Sequence, residues 1–233
     1  MDVNKNGLFI TGTGTDVGKT FASGFLLAIL RNQLRKALYY KPIQCGPAIH
    51  AGATFPQGDA QFIQQVMGHP DVVNTWFLRN PSSPHLAFAL EGITYDAAPI
   101  HDLIISSRKN FDFIIMEGAG GIRVPITEKL EMTDIAKLSS FPTLVVAKPG
   151  LGTINHTLLT LEHLASRRLP LAGFVFSEPE QAKFAEALAA DNAHIIQART
   201  GVPFLGCIPY FKGEWSLSDL TSHPLADYFR RTK

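Results

Sequence analysis

The chain has 233 residues, 45% apolar and 18% charged, with a formal net charge of +1. That length is ample for a buried core, and the near-neutral balance argues against a nucleic-acid surface. No apolar run approaches the ~20 residues of a membrane span, and the two thiols, Cys45 and Cys207, show neither zinc nor Cys-x-x-Cys spacing, so a cytoplasmic protein with reduced cysteines is expected, with no membrane or nucleic-acid partner.

Residues 7–11 predict a buried strand that breaks into Gly12-Thr13-Gly14-Thr15-Asp16-Val17-Gly18-Lys19-Thr20, and a helix is expected from Lys19 to about Leu34. A glycine-rich turn between strand and helix lets backbone N–H groups curl around an anion at the positive end of the helix dipole. Lys19 can reach outer phosphates and the Thr20 hydroxyl can ligate Mg²⁺. Five residues separate Gly12 from Gly18, one more than the common phosphate-loop pattern allows.

A second strand is predicted at residues 37–40, stopped by Lys41-Pro42. Lys41 then sits at the ligand edge, either merely solvated or placed to neutralise charge on a transferring phosphoryl group. Residues 43–58 read as loop, and 59–67 as a helix opened by Asp59, a helix cap or a metal ligand. Residues 70–100 give no clear pattern beyond a helical turn at 85–90, and a weak helix follows at 100–107. A strand at 111–116 ends in Glu117-Gly118-Ala119-Gly120-Gly121, where an acid beside the loop can hold Mg²⁺ and glycines admit phosphate or substrate closely.

Residues 134–139 predict a short helix with Thr133 as its cap, and 143–147 a strand. The helix from 154 to about 167 opens beside Thr153 and Asn155, which either cap it or help it bind an anion such as a substrate carboxylate. Strands at 171–176 and 204–208 flank an alanine-rich helix at 179–199. A helix near 217–229 closes the chain, with Pro224 able to break it. The eight histidines, His156 among them, are scattered without metal-ligand spacing and read mostly as structural or exposed. Alternating apolar strands and helices predict an α/β fold over residues 1–233, a single domain with a mostly parallel β-sheet and helices on both faces. Its ligands belong at the carboxyl ends of the strands.

These residues together resemble the dethiobiotin synthetase family of phosphate-loop (P-loop) NTPases. The family's Gly-Thr-x-Thr-(Asp/Glu)-Val-Gly-Lys-Thr is matched at 12–20, extra residue included, its Tyr-Lys-Pro at 40–42 and its Glu-Gly-Ala-Gly-Gly at 117–121. Ser83-Pro84-His85 and Ile154-Asn155-His156 match two shorter elements, and the likeness runs over about residues 7–211. The resemblance implies ATP-dependent carboxylation and ring closure of 7,8-diaminopelargonate with CO₂, releasing ADP and phosphate. It implies catalytic roles for Lys41, Lys19 and Thr15, and Mg²⁺ held by Thr20, Asp59 and Glu117. Nucleotide would touch Thr15, Asp16, Val17, Gly18, Lys19, Thr20, Glu117, Gly118, Ala119 and Gly120, then Ser177, Glu178, Pro209, Tyr210 and Phe211 around the base. Substrate would touch Cys45, Thr153 and Asn155, the last two across a homodimer interface.

Two positions depart from the family. Many members carry Asn-Asp where this chain has Ser177-Glu178, and serine lacks the paired amide donor and acceptor that read adenine. Cys45 stands where some members have serine, and a thiol is the weaker hydrogen-bond partner. Relatives to weigh against this reading are a cobyrinate diamide synthetase, whose Cys/His glutaminase domain is not visible in a sequence short for one, and a partitioning-type ATPase, which carries a further lysine early in its loop where this chain has only Gly12, Thr13 and Gly14.

Overall fold

Seven apolar segments pair as one parallel sheet in the computed structural model, which describes residues 6–50, 52–178 and 186–231. In chain order the first half runs β1 (Gly7–Gly12), α1 (Lys19–Asn32), β2 (Ala37–Cys45), β3 (Ala48–His50), β4 (Ala53–Phe55), α2 (Asp59–Gln65), β5 (Val72–Leu78), α3 (Pro84–Leu90) and α4 (Ala98–Ser107). The second half runs β6 (Phe113–Gly121), α5 (Met132–Ser139), β7 (Thr143–Ala147), α6 (Thr153–Ser166), β8 (Leu171–Ser177), α7 (Glu186–Thr200), β9 (Phe204–Ile208), α8 (Leu217–Ser222) and α9 (Pro224–Arg231). The sheet order is β5-β2-β6-β1-β7-β8-β9, and β3 and β4 form a separate antiparallel hairpin.

Strand alternation divides the core in two. Leu8, Ile10, Tyr39, Ile115 and Val146 pack on one face against α1 and α9, through Phe25, Leu26, Leu225 and Phe229. Phe9, Leu38, Tyr40, Met116 and Val145 pack on the other, against Phe88, Ile104, Ile135, Leu161 and Ile196 of α3 to α7. The expected parallel sheet with both faces covered is what forms. Among the described residues no helix is long and apolar enough to cross a membrane.

Two strands run further than their sequence suggested. The second was expected to stop at Lys41-Pro42, yet β2 continues to Cys45. Its pairing with β6 ends at Tyr40, while its pairing with β5 continues from Tyr39 to Cys45. The Tyr39 N–H donates to Asp71 O on the β5 side. By alternation the missing N–H of Pro42 faces the side that β6 has already left, so the proline breaks no ladder bond. Similarly β6 passes through Glu117 to Gly121, because β1 carries it on. From Ile10↔Glu117 to Gly12↔Gly121 the register shifts, β6 advancing four residues against two in β1. That bulge re-aims the strand at its ligand end.

Other expectations change in detail. Residues 43–58 are not plain loop, since they hold the end of β2 and the β3–β4 hairpin. The unread stretch 70–100 contains β5 at the sheet edge and α3, which is entered through Ser83-Pro84. Helix α5 is capped by Glu131 in a capping box with Asp134, while Thr133 lies inside it and donates its hydroxyl to Ile122 O at 2.9 Å. Pro224 does split the closing helix into α8 and α9. Residues 179–185, the start of the expected alanine-rich helix, lie outside the described residues.

Two imidazoles outside the ligand edge are tied to backbone. His69 donates from Nε2 to Ala37 O and His223 from Nε2 to Cys207 O, each at 2.9 Å. Burial holds both below the usual histidine range, against the pull of those carbonyls. The unfolded chain therefore takes up these protons first, at about pH 6.5. Their contribution to stability is present above that value and is lost as pH falls through the folded values. The denaturant midpoint is expected to drop between pH 7.5 and pH 5.5, and to drop less in His69→Gln. Equal slopes in the two proteins would refute the assignment.

Candidate active site

The β1–α1 turn builds an anion cradle. Asp16 and Gly18 adopt positive φ (56° and 88°), and Gly18 opens α1 with no side-chain cap. The first N–H groups of α1 are thus left to receive a ligand. A Cβ on Gly12 would lie 2.6 Å from Val17 Cγ2, so this close turn requires glycine. Val17 itself is buried in the core and supports the turn from beneath. Lys19 folds back to donate to Gly14 O at 2.7 Å. Burial pulls its pKa down to about 8, against the attraction of Glu117.

Beside the cradle sits a buried cluster of charge. Lys41 contacts Asp59 Oδ2 and donates to Glu117 Oε1 at 3.0 Å. Glu117 is fully buried. Its Oε1 also accepts from Thr20 Oγ1 at 3.0 Å, and its Oε2 accepts from Ser23 Oγ at 2.7 Å and Tyr39 OH at 3.1 Å. Asp59 Oδ1 accepts from His50 Nε2 at 2.8 Å. Burial opposes the charge on Lys41, but Asp59 and Glu117 outweigh it and hold the ammonium above the usual lysine range. Burial likewise works against the Asp59 carboxylate, and Lys41 and His50 outweigh it, holding that carboxyl well below its usual range.

Cradle and cluster open into one cavity of about 960 Å³. Thr15, Asp16, Gly18, Lys19, Thr20, Lys41, Cys45, Asp59, Glu117, Ala119, Gly120 and Tyr210 all line it, as do Ser83 and Pro84. Burial raises the Cys45 thiol to about 11, so it faces the cavity protonated. Gly118 turns to the opposite face of the sheet, where a Cβ would meet Met132 and Phe9 at 3.1 Å, and only its backbone is at hand. Ser177 is buried and donates to Gly18 O at 3.3 Å, and Glu178 follows at the end of β8. Pro209 O accepts from the Trp215 indole at 3.0 Å, while the Phe211 ring packs at a tilt between Phe21 and Trp215. Thr153 and Asn155 do not join the cavity: Thr153 lies 3.4 Å from Thr157 inside α6, and Asn155 is exposed.

Several lining residues escaped the sequence. Lys148 follows β7 in a Lys-Pro pair like Lys41-Pro42, a signal that was available. Gln44 accepts from the Asp59 N–H at 3.2 Å, and His50 reaches Asp59 from the hairpin; neither carries a motif. Among the described residues no three His, Cys, Asp or Glu side chains gather to hold a metal by themselves. The donors present are hard oxygens, two carboxylates and a hydroxyl. That set fits Mg²⁺, which is usually bound by one or two carboxylates together with nucleotide phosphates.

The AAA domain family matches residues 6–213. The chain is 34% identical over 218 residues to the ATP-dependent dethiobiotin synthetase BioD of Bacillus cereus (strain B4264), covering 92% of this chain and 88% of that protein. It is 36% identical to the synthetase of the same name from Anoxybacillus flavithermus (88% and 91% covered) and 37% identical to that from Halalkalibacterium halodurans (87% and 84% covered). Among solved structures it resembles the cell division ATPase MinD of Pyrococcus furiosus, with a TM-score of 0.57, 17% identity and coverage of 98% and 100%. The MinC:MinD complex of Aquifex aeolicus gives 0.56 at 15% identity, covering 97% and 95%. At such identity these two structures speak for the fold alone.

Removing Lys41 strands two buried carboxylates. Breaking a buried ion pair from one side costs about 3–5 kcal/mol. Lys41→Met is therefore expected to lower the unfolding free energy by roughly that amount, and Lys41→Met with Glu117→Gln to recover part of it. Denaturant titration checks this, and an unchanged midpoint in the single variant would contradict the buried pairing.

Proposed function

The chain belongs to the ATP-dependent dethiobiotin synthetase family and is an ATP-dependent ligase of biotin synthesis; we propose that it carboxylates and cyclises 7,8-diaminopelargonate through a carbamoyl-phosphate mixed anhydride, residues 1–233 acting as one unit. One amine of the substrate captures CO₂ as a carbamate. A carbamate oxygen attacks the γ-phosphorus of ATP, and ADP leaves. The second amine then attacks the anhydride carbon, closes the ureido ring, loses a proton and expels phosphate. Holding that amine beside the anhydride is an intramolecular advantage, worth effective molarities of about 10⁵–10⁸ M in favourable models.

The observation that carries this reading is Lys41, a cation fixed between two buried carboxylates in the cavity that the phosphate loop opens into. Lys41 and Lys19 neutralise charge on the carbamate and on the transferring phosphoryl group, and the Thr15 hydroxyl hydrogen-bonds there. Thr20, Asp59 and Glu117 are the residues that would hold Mg²⁺, and the ion would screen the phosphate charge. Asp16 to Thr20 and the backbone of Glu117 to Gly120 seat the phosphates. The base lies by Ser177, Glu178 and Pro209 to Phe211. Cys45 lines the substrate's path. Thr153 and Asn155 stand apart from this chain's own cavity; in the proposed homodimer the helix start that they form takes the carboxylate of substrate bound in the partner.

The test is direct. Protein, Mg²⁺, ATP, bicarbonate and diaminopelargonate are expected to yield dethiobiotin by mass, and ATP hydrolysis indifferent to the diamine would defeat the proposal. Lys41→Ala is expected to lose on the order of 10²–10³ in rate, as when one charge-stabilising group is removed. A variant as fast as wild type would remove Lys41 from the mechanism.

Base selection forms a separate expectation. The Ser177 hydroxyl gives its one proton to Gly18 O, so it can only accept from a base, and Ser177 and Glu178 alike can take the amine of cytosine as well as that of adenine. Rates with ATP, CTP and GTP at equal concentration are expected to lie within about tenfold of one another, since strong discrimination needs a site built around the base's own hydrogen bonds. Strict preference for ATP would overturn this.

A further inference from the structure

The two carboxylates of the cluster are held in the same way. Glu117 has Oε2 anchored by Ser23 and Tyr39, which leaves Oε1 facing Thr20 and Lys41. Asp59 has Oδ2 on Lys41, and among the described residues its other oxygen, Oδ1, is met by one side chain, His50, at 2.8 Å. That histidine comes from outside the seven-stranded sheet and its helices. It closes β3 of the hairpin, paired with Ala53. Its ring is caged by aromatics: Phe62 at 4.2 Å and tilted by 34°, Phe21 edge-on at 5.6 Å, and Phe55 at 6.2 Å. The cage fixes the plane of the imidazole independently of Asp59, so the ring can impose an orientation on the carboxylate. A histidine that merely satisfied a surface acid would need no such cage.

We infer that His50 is the positioning residue of Asp59: it pins Oδ1 so that Oδ2 is held towards Lys41 and the rest of the cluster, doing for Asp59 what Ser23 and Tyr39 do for Glu117. This rests on the proposed role of Asp59 as a metal carboxylate. Hydrogen-bond partners of metal carboxylates and imidazoles act in this manner, and their loss costs about 10–100-fold in metal affinity or activity. The β3–β4 hairpin thereby becomes part of the metal site, although it supplies no ligand itself.

The test uses Mn²⁺ as a spectroscopic probe with a non-hydrolysable ATP analogue, free Mn²⁺ being read by electron paramagnetic resonance. His50→Phe keeps an aromatic ring in the cage but no donor. His50→Gln can place an N–H near the position of Nε2, and His50→Asn is one methylene too short. Phe and Asn are expected to weaken Mn²⁺ binding by about tenfold or more, and Gln to stay within about threefold of wild type. The Mg²⁺ concentration for half-maximal dethiobiotin formation should rise in parallel, with kcat at saturating metal little changed. Wild-type Mn²⁺ affinity in His50→Phe would overturn the inference, as would a loss in His50→Gln equal to that in His50→Asn with native melting curves. Should His50→Phe misfold, the Gln and Asn comparison decides alone. If the wild-type protein binds Mn²⁺ and the analogue but makes no dethiobiotin, the proposed function fails, while the assignment of His50 still stands or falls on the Mn²⁺ titration.

Discussion

One ammonium organises this molecule's ligand edge. Lys41 lies between Asp59 and Glu117, each almost wholly removed from water. Any of the three alone at that depth would be heavily penalised, and Asp59 and Glu117 together would repel. With the lysine between them the cluster is tolerable, and it remains so only while each group keeps its place. That demand reaches outward. It explains the buried hydroxyls of Ser23, Thr20 and Tyr39, which complete Glu117, and the Gln44 carbonyl that takes the Asp59 N–H. Buried polar groups in a network must all be satisfied or the network costs more than an apolar core.

The sheet makes the cluster possible by coming apart at the right point. β2 and β6 pair only as far as Tyr40 and Met116. The next residues along each strand are Lys41 and Glu117. They are held by the outer neighbours, β5 and β1, but no longer zipped to each other, so their side chains can meet across the widening gap while their backbones stay rigid. This is the crevice at the carboxyl ends of parallel strands, which α/β sheets commonly use for ligands. A cluster so intolerant of displacement gains from standing on strands, with loops supplying only the outer contacts.

The part of the fold set by local pattern was legible in the sequence. Apolar runs marked the seven main strands save β5, and glycines with Lys19 marked the cradle. The errors share one cause. Pro42 and Gly118 to Gly121 are strand breakers on their own, and both lie inside strands because a neighbour on one side carries the backbone past them. Tertiary pairing overrides local propensity, and no window of sequence contains it. The adjacent tyrosines make the same point. Tyr39 faces α1 and bonds Glu117, while Tyr40 faces away and bonds Thr75 at 2.5 Å. Without the strand's extent and the sheet's order, nothing distinguishes them. His50 was the least legible of all, a lone histidine in a hairpin of three-residue strands without a turn signature.

Charge counting shows why the site takes this form. Lys19, Lys41 and Lys148 line the cavity with Asp16, Asp59 and Glu117, so three cations balance three anions before any ligand arrives. A nucleoside triphosphate brings further negative charge, and the two carboxylates already offset part of the charge that Lys41 can turn towards it. Lys19, depressed by burial and lying against a carbonyl, has its charge-assisted bonds to give. It cannot offset a triphosphate alone. In the proposed mechanism a divalent cation bound with the phosphates would restore the balance, held by the hard oxygen donors of Thr20, Asp59 and Glu117. On the proposed reading the carboxylates would serve the cation, and the cation would let a site with almost no surplus positive charge of its own accept a highly charged substrate. A site with more lysines could bind phosphate without metal, but it would hold the product phosphate as tightly as the reacting one. Binding reactant and product alike lowers no barrier.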